Sequence, residues 1–300
     1  MLSWEDCPSC ASFMAKAPAP CARPYSSDCT AIPWSNPNAL ARMERGGQAL
    51  PSSTSWGIDE NCCRNLMEKL KPVLFPSAGS HPVQLEGLFH FLEGEGPWPA
   101  AIVCHPHPLG GGTMHNSVVT AIARALAASG IMALRFNFRG VERSGGEHDN
   151  GRGEQADVAG ALDWLLTQPG INRQRVSVAG YSFGAWVALS HAQADPRVAA
   201  AAAVGLVAWR FDADFYQLSA GRDSGVQTRQ FDPDFLRSFT RPKLFVTGEW
   251  DAFAPPEAVR GLVDRLPPPK SLCIVPGTDH FFGGREREAG RLVAEFISGL

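Results

Sequence analysis

No run of eighteen consecutive apolar residues occurs in this 300-residue chain, so a membrane-spanning helix is not expected. Basic residues are not in excess. The 27 Lys and Arg stand against 30 Asp and Glu, a net charge of −3, and the pI is near 6.2. A nucleic-acid partner, which a basic face would attract, is therefore not expected. Histidine is absent before His81. The early cysteines Cys7, Cys10, Cys21, Cys29, Cys62 and Cys63 thus have no nearby histidine to complete a zinc site. Cys7 and Cys10 have CxxC spacing, but no second ligand pair and no βαβ context accompany them. The only later cysteines, Cys104 and Cys273, sit in apolar runs and read as small buried hydrophobes. The HExxH and HxHxDH patterns of metallo-hydrolases are missing, which disfavours His105, His107, His115 and Asp149 as a metal set. Glu5 and Asp6 stand where a secretory signal would be basic, and no unbroken apolar stretch follows. A cytoplasmic location is the default expectation.

What is present is ordinary globular composition, 44% hydrophobic and 19% charged. It is unevenly distributed. Residues 1–66 carry Pro8, Pro18, Pro20, Pro24, Pro33, Pro37 and Pro51 without sustained periodicity. Such a segment has little apolar surface to offset its ordering entropy, and disorder is expected over most of it. Short helical turns are expected near Asn38–Arg45 and Asn61–Leu70. Composition changes abruptly near Met67, which makes Met67 the expected natural start and the upstream part an extension.

From Val73 onward, strand and helix signals alternate. Strand-like runs occupy Val83–Leu92, Ala100–Pro106, Ile131–Gly140 and Arg175–Tyr181. Others fall within Arg197–Trp209, Lys243–Asp251 and Ser271–His280. Between them, apolar residues recur at helical spacing in Ser117–Ser129, Gln155–Gln168, Phe183–Ala194 and Ala258–Leu266, and again in the closing segment from Ala289 to Ile297. This alternation predicts a mostly parallel sheet with helices on both faces. Strands buried on both faces read as continuous apolar runs, as these do. In open α/β sheets the chemistry lies beyond the carboxyl ends of the strands. The polar residues there are Ser182, Asp251, His280 and the segment His105–His107.

Ser182 lies in Gly180-Tyr181-Ser182-Phe183-Gly184, between a strand and a helix. Gly-x-Ser-x-Gly in that context holds a serine hydroxyl exposed on a strained turn. A serine hydroxyl needs a base to become a nucleophile. His280 follows one strand and can serve as that base, with Asp251, after another, fixing its tautomer. Glu249 and Asp279 are neighbouring carboxylates. Asp251 could instead cap the helix that follows, and His280 could pack against Phe281 and Phe282. An oxyanion hole would take the N–H of Phe183 and a second N–H from His105-Pro106-His107-Pro108-Leu109-Gly110. Pro106 and Pro108 have none, which leaves His107, or Leu109 and Gly110 under a different loop fold. Leu109, Gly110, His115 and Arg139 are candidate substrate contacts. Arg139, with Glu142, Arg143 and Ser144, could equally hold its own loop. Trp209–Arg241 is a candidate cap, with Trp209, Phe211, Phe215, Tyr216, Phe231, Phe235 and Phe239 either lining an acyl pocket or packing under a long loop.

The stretches AGYSFGAWVAL, VTGEWDAFAPP and GTDHFF resemble the nucleophile, acid and histidine regions of the serine α/β-hydrolase superfamily. CHPHPLGGGTMHNSVV, LRFNFRGVERSGGEHDNGRGE and DHFFGG resemble a small bacterial group of lid-poor α/β-superfamily hydrolases. The dienelactone-hydrolase-like enzymes are more distantly similar. The resemblance spans Val73–Leu300. It implies an α/β-hydrolase fold over residues 67–300 with a small lid or none. It further implies a carboxylester-type hydrolase acting on a small-molecule ester, with no cofactor and no metal. A serine peptidase or amidase on the same residues, and a binding protein that kept the fold, are the alternatives. Two positions depart from the pattern. Dienelactone hydrolases use a cysteine where Ser182 stands, and the narrower group carries an acidic or amide residue where this chain has His115.

Overall fold

Continuous apolar runs become strands whose side chains alternate between two helical layers. The computed structural model describes residues 29–31, 68–94, 96–207 and 233–300. Its strands are β1 (Cys29–Ala31), β2 (Glu68–Pro76), β3 (Gln84–Leu92), β4 (Trp98–Cys104), β5 (Met132–Phe136), β6 (Ile171–Tyr181), β7 (Ala200–Val204), β8 (Lys243–Gly248) and β9 (Lys270–Val275). They form one sheet in the order β1-β9-β8-β7-β6-β4-β5-β3-β2. The strands from β9 through β5 in that order pair in parallel. β2, β3 and β1 are antiparallel to their neighbours.

The helices are α1 (Ser117–Ala128), α2 (Arg152–Leu166), α3 (Phe183–Ala194), α4 (Pro256–Asp264) and α5 (Glu286–Ser298). On β4, Ala100, Ile102 and Cys104 join the core beneath α2, α3 and α4, whereas Ala101 and Val103 join the core beneath α1 and α5. Strands covered on both faces must be apolar at every position, which is why period-2 alternation is missing from them. The expected mostly parallel sheet with helices on both faces is therefore observed.

Differences from expectation lie at the sheet edges. Glu68–Leu70, expected in a helical turn, begins β2, where pairing with β3 across Glu68↔Leu92 to Pro76↔Gln84 supplies backbone partners. Lys69, Leu70, Lys71 and Leu74 on this edge are exposed, so the strand shows no apolar run. Within the expected disordered extension, residues 29–31 pair with β9. The rest of that expectation, including the turn at Asn38–Arg45, lies outside the described residues. So does most of the candidate cap. Of its aromatic residues, Phe239 is buried and Phe235 packs against the same core, as under-loop packing would have it. Arg241 donates to the carbonyls of Ala192, Asp195 and Val198, closing the C-terminal end of α3 where backbone acceptors lack helical partners. Among the described residues no helix is long and apolar enough to cross a membrane.

α1 and α5 cross closely because Gly290 has no side chain. A Cβ there would lie 2.6 Å from the carbonyl oxygen of Ala121. Gly290→Val is therefore expected to push the helices apart and destabilise the fold by about 1–3 kcal/mol. Gly261 of α4 is exposed and has nothing within 4 Å of its Cβ position. There Gly261→Ala is expected to stabilise by up to about 1 kcal/mol. Urea unfolding of the two variants against the wild type checks both signs.

Candidate active site

β6 ends at Tyr181 and α3 begins at Phe183, so Ser182 alone makes the turn. Its φ of 55° and ψ of −116° lie where side chains are strained. The close approach of neighbouring backbone fixes this conformation. A Cβ at Gly180 would sit 2.1 Å from the carbonyl oxygen of Gly184. A Cβ at Gly184 would sit 2.4 Å from that of His105 and 2.5 Å from that of Cys104. Strand, turn and helix can pack this tightly only with glycine at both places. The Ser182 N–H donates to Val204 on β7 at 2.9 Å, and its carbonyl accepts from Ala185 at 3.0 Å. The hydroxyl is left projecting beyond the sheet at the start of α3.

His280 is brought to it from the loop after β9. Its Nε2 lies 3.1 Å from Ser182 Oγ. Tyr181 Oη donates to the His280 carbonyl at 2.8 Å. Gly205, at φ 57°, lies beneath the imidazole; a Cβ there would be 3.2 Å from His280 Cε1. Rings of Phe253, Tyr181 and Phe281 surround the imidazole at centroid distances of 5.0, 5.6 and 5.8 Å. The packing against Phe281 thus coexists with the polar contacts rather than replacing them.

Asp251, after β8, lies on the other side of the ring. Its Oδ2 is 2.9 Å and its Oδ1 3.1 Å from His280 Nδ1. Oδ1 also accepts from the N–H groups of Phe253 at 2.9 Å and Ala254 at 2.7 Å. A carboxylate only accepts, so the network assigns the imidazole proton to Nδ1 and leaves Nε2 to accept from the serine hydroxyl. Asp251 and His280 are buried. The competing carboxylates are occupied elsewhere. Glu249 accepts from Gly277 N–H and Asp279 from Phe281 N–H, both on the exposed surface.

The loop after β4 folds into a 3-10 turn at Pro108–Gly110. The Leu109 N–H donates to His107 Nδ1 at 3.1 Å. The Gly110 and Gly112 N–H groups donate to the His107 carbonyl at 3.1 and 3.0 Å. Leu109 and Gly110 are therefore unsuited as oxyanion donors, and that alternative falls. Both remain exposed at the loop tip. His105 is fully buried. Its Nδ1 faces the Pro106 carbonyl at 2.6 Å and its Nε2 accepts from Phe138 N–H at 3.0 Å. Burial lowers its pKa to about 4, and the neutral ring ties the end of β4 to the end of β5 instead of offering itself to a metal.

The loop after β5 is held by its own polar groups and by acids on β3 and α2. Arg139, a candidate substrate contact, is committed to Asp157 on α2, donating from Nη2 at 2.8 Å and from its N–H at 2.9 Å. A paired, largely buried guanidinium holds the loop, so Arg139 is removed from the substrate contacts. Arg143 donates to Glu86 at 2.7 Å, and Ser144 Oγ donates to the Asn137 carbonyl at 2.7 Å. Glu142 accepts from Asn137 Nδ2 at 2.6 Å. Burial raises the Glu86 pKa, but the Arg143 N–H, the Asn137 amide and the Arg143 guanidinium bring it below the ordinary value. His115 is exposed, with Nε2 3.9 Å from Glu142 Oε2. Sequence reading missed Glu86, Asn137 and Asp157. A polar residue in or just beyond a strand or helix gives no local sign of which loop group it holds.

Relatives place this geometry. A sequence model of the X-Pro dipeptidyl-peptidase (S15) family matches residues 92–228. An uncharacterised protein of Rickettsia prowazekii is 33% identical over 204 residues, 66% of this chain and 78% of that protein. The structure of an α/β serine hydrolase homologue from Coxiella burnetii is 32% identical and superposes with a TM-score of 0.60, covering 75% of this chain and 96% of that one. A Xanthomonas campestris member of the α/β serine hydrolases without lid is 29% identical, with a TM-score of 0.58 over 76% of this chain and 94% of that one. With its parallel sheet and glycine-flanked serine turn, this chain belongs to the α/β serine hydrolase superfamily.

The strain at Ser182 gives a stability prediction. Ser182→Gly removes the positive-φ cost and is expected to be more stable than Ser182→Ala by about 1–2 kcal/mol. Equal unfolding midpoints for the two variants in guanidinium would show that the turn is relaxed.

Proposed function

We propose that this protein hydrolyses carboxylic esters of small molecules through an acyl-enzyme on Ser182. The observation that carries the reading is one continuous line of contacts, Ser182 Oγ to His280 Nε2 at 3.1 Å and His280 Nδ1 to Asp251 Oδ2 at 2.9 Å. In this reading His280 takes the hydroxyl proton as Ser182 attacks the ester carbonyl, then returns it to the departing alcohol. Asp251 stabilises the imidazolium. A water activated by His280 then attacks the acyl-enzyme and frees the acid and Ser182. The N–H groups of Phe183, at the start of α3, and His107, early in the loop after β4, would hold the oxyanion. Leu109, Gly110 and His115 border the side from which substrate would come. The chemistry needs no cofactor.

A second reading has a specific observation behind it. The S15 family match over residues 92–228 makes a peptidase or amidase the alternative, since the same three residues can cleave an amide. Ester cleavage is preferred because an alcohol leaves more readily than an amine and asks less of substrate positioning.

Three outcomes follow. A fluorophosphonate is expected to label Ser182 in folded protein and not in Ser182→Ala, read by peptide mass. An unlabelled Ser182 would sink the proposal. Asp251→Asn is expected to lower kcat on 4-nitrophenyl acetate by roughly 10⁴-fold through loss of the correct tautomer. Steady-state kinetics check this, and a loss of less than tenfold would remove Asp251 from its role. Comparison of that ester with an X-Pro 4-nitroanilide separates the two readings, and faster anilide cleavage would favour the peptidase.

A further inference from the structure

Beside the loop that carries His107 lies a cluster for which the three-residue line has no use. His148, in the loop before α2, has only about a tenth of its side chain exposed. Its ring stands edge-on to His107 at a centroid distance of 4.6 Å and to Phe183 at 5.6 Å. His107 and Phe183 meet each other at 4.7 Å. The two residues proposed to present oxyanion N–H groups therefore have their side chains locked against one third ring.

That ring is held in turn by Glu154, in the first turn of α2 and fully buried. Glu154 Oε1 lies 2.7 Å from His148 Nδ1. The nitrogen meets no hydrogen-bond alignment, so the contact is one of close packing. The carboxylate also accepts from the N–H groups of Asp149 at 2.9 Å and Gly151 at 2.7 Å. Burial pushes its pKa up, but the contact with His148 and the Asp149 N–H bring it below the ordinary value. Gly151 seats the loop on α3, where a Cβ would collide with the Trp186 ring at 1.8 Å. The His148 loop is thus fixed to α2 and α3. The His107 loop is anchored at its ends, by Phe138 N–H on His105 and by Asn137 and Arg135 on Met114, and its tip is shaped by its own turn.

We propose that His148, oriented by Glu154, is a positioning residue for oxyanion stabilisation: its ring holds the His107 loop against Phe183 and fixes the separation of the two backbone N–H groups. This rests on the reading of His107 and Phe183 as oxyanion donors. The burial that lowers the His107 pKa to about 3, helped by His148, keeps the His107 ring neutral, so ring packing sets the contact. A displaced donor weakens the transition state more than the ground state, because only the oxyanion needs both N–H groups at hydrogen-bond distance.

The test compares wild type, His148→Ala and His148→Phe with 4-nitrophenyl acetate and a short alkyl trifluoromethyl ketone, which forms a reversible tetrahedral oxyanion on serine. His148→Ala is expected to lower kcat roughly tenfold, less than the 10²–10³ lost with a whole donor. KM should stay within about twofold, and ketone affinity should weaken by the same factor as kcat. His148→Phe, which keeps a flat ring, is expected to restore most of both. Should His148→Ala fail to fold by thermal melting, His148→Leu takes its place, filling volume without a ring. Unchanged kcat in the ring-less variant, a KM effect alone, unchanged ketone affinity, or no rescue by His148→Phe would each overturn the inference. If wild type neither cleaves the ester nor takes a fluorophosphonate, the proposed function falls and this inference with it. If wild type does both and the variants match it, this inference falls alone.

Discussion

The site depends on one steric constraint, the close crossing of backbone at Gly180 and Gly184. Where β6 turns into α3, the chain packs against itself and against the carbonyls of Cys104 and His105 with no room for a Cβ. That closeness drives Ser182 into a positive-φ conformation and makes its hydroxyl project. It also sets the start of α3 against the loop that leaves β4. The strain at Ser182, of order 1–3 kcal/mol, persists because the Val204 hydrogen bond and the packing on both sides leave no other path.

Sheet order supplies the remaining groups. β7 and β8 follow β6, so the ends of β8 and β9 open on the same edge as Ser182. The loops from those strands are brought close by further glycines. A Cβ at Gly248 would meet the carbonyls of Thr278 and Asp279 at 2.6 Å. Tyr181, one residue before Ser182, reaches across to the His280 backbone. The serine and the histidine are therefore tied through the residue next to the serine as well as through their side chains. The β4 and β5 loops are a second layer. Their polar side chains, Arg139, Ser144 and Asn137, are committed to holding loop shape, and Leu109 and His115 face outward.

The parts legible in the sequence were those written in local pattern. Buried strands announced themselves as apolar runs, α3 was bounded at Phe183 and Ala194 by its small-residue stripe, and Ser182, Asp251 and His280 stood at strand ends. Less legible was anything decided by a distant partner. β2 carries Lys69 and Lys71 on an exposed edge, so its strand character comes from pairing with β3 rather than from composition. That Arg139 holds its loop is one of the two readings its position allows, but its partner, Asp157 on α2, has no mark in the local sequence. That the Leu109 and Gly110 N–H groups are taken up within their own loop follows from a 3-10 turn in which His107 accepts them, and glycine and proline counts do not specify that turn. His148 and Glu154 carried no signal, because a histidine in a polar loop and an acid in a helix's first turn are each unremarkable alone.

The central claim is that substrate carbon becomes bonded to Ser182. Rapid acid quench of the protein with excess 4-nitrophenyl acetate, followed by intact and peptide mass, reads this directly. The account predicts one acetyl group per chain, on the peptide that contains Ser182, formed in step with the first equivalent of 4-nitrophenol. Turnover without any adduct, or an adduct on another residue, would contradict it.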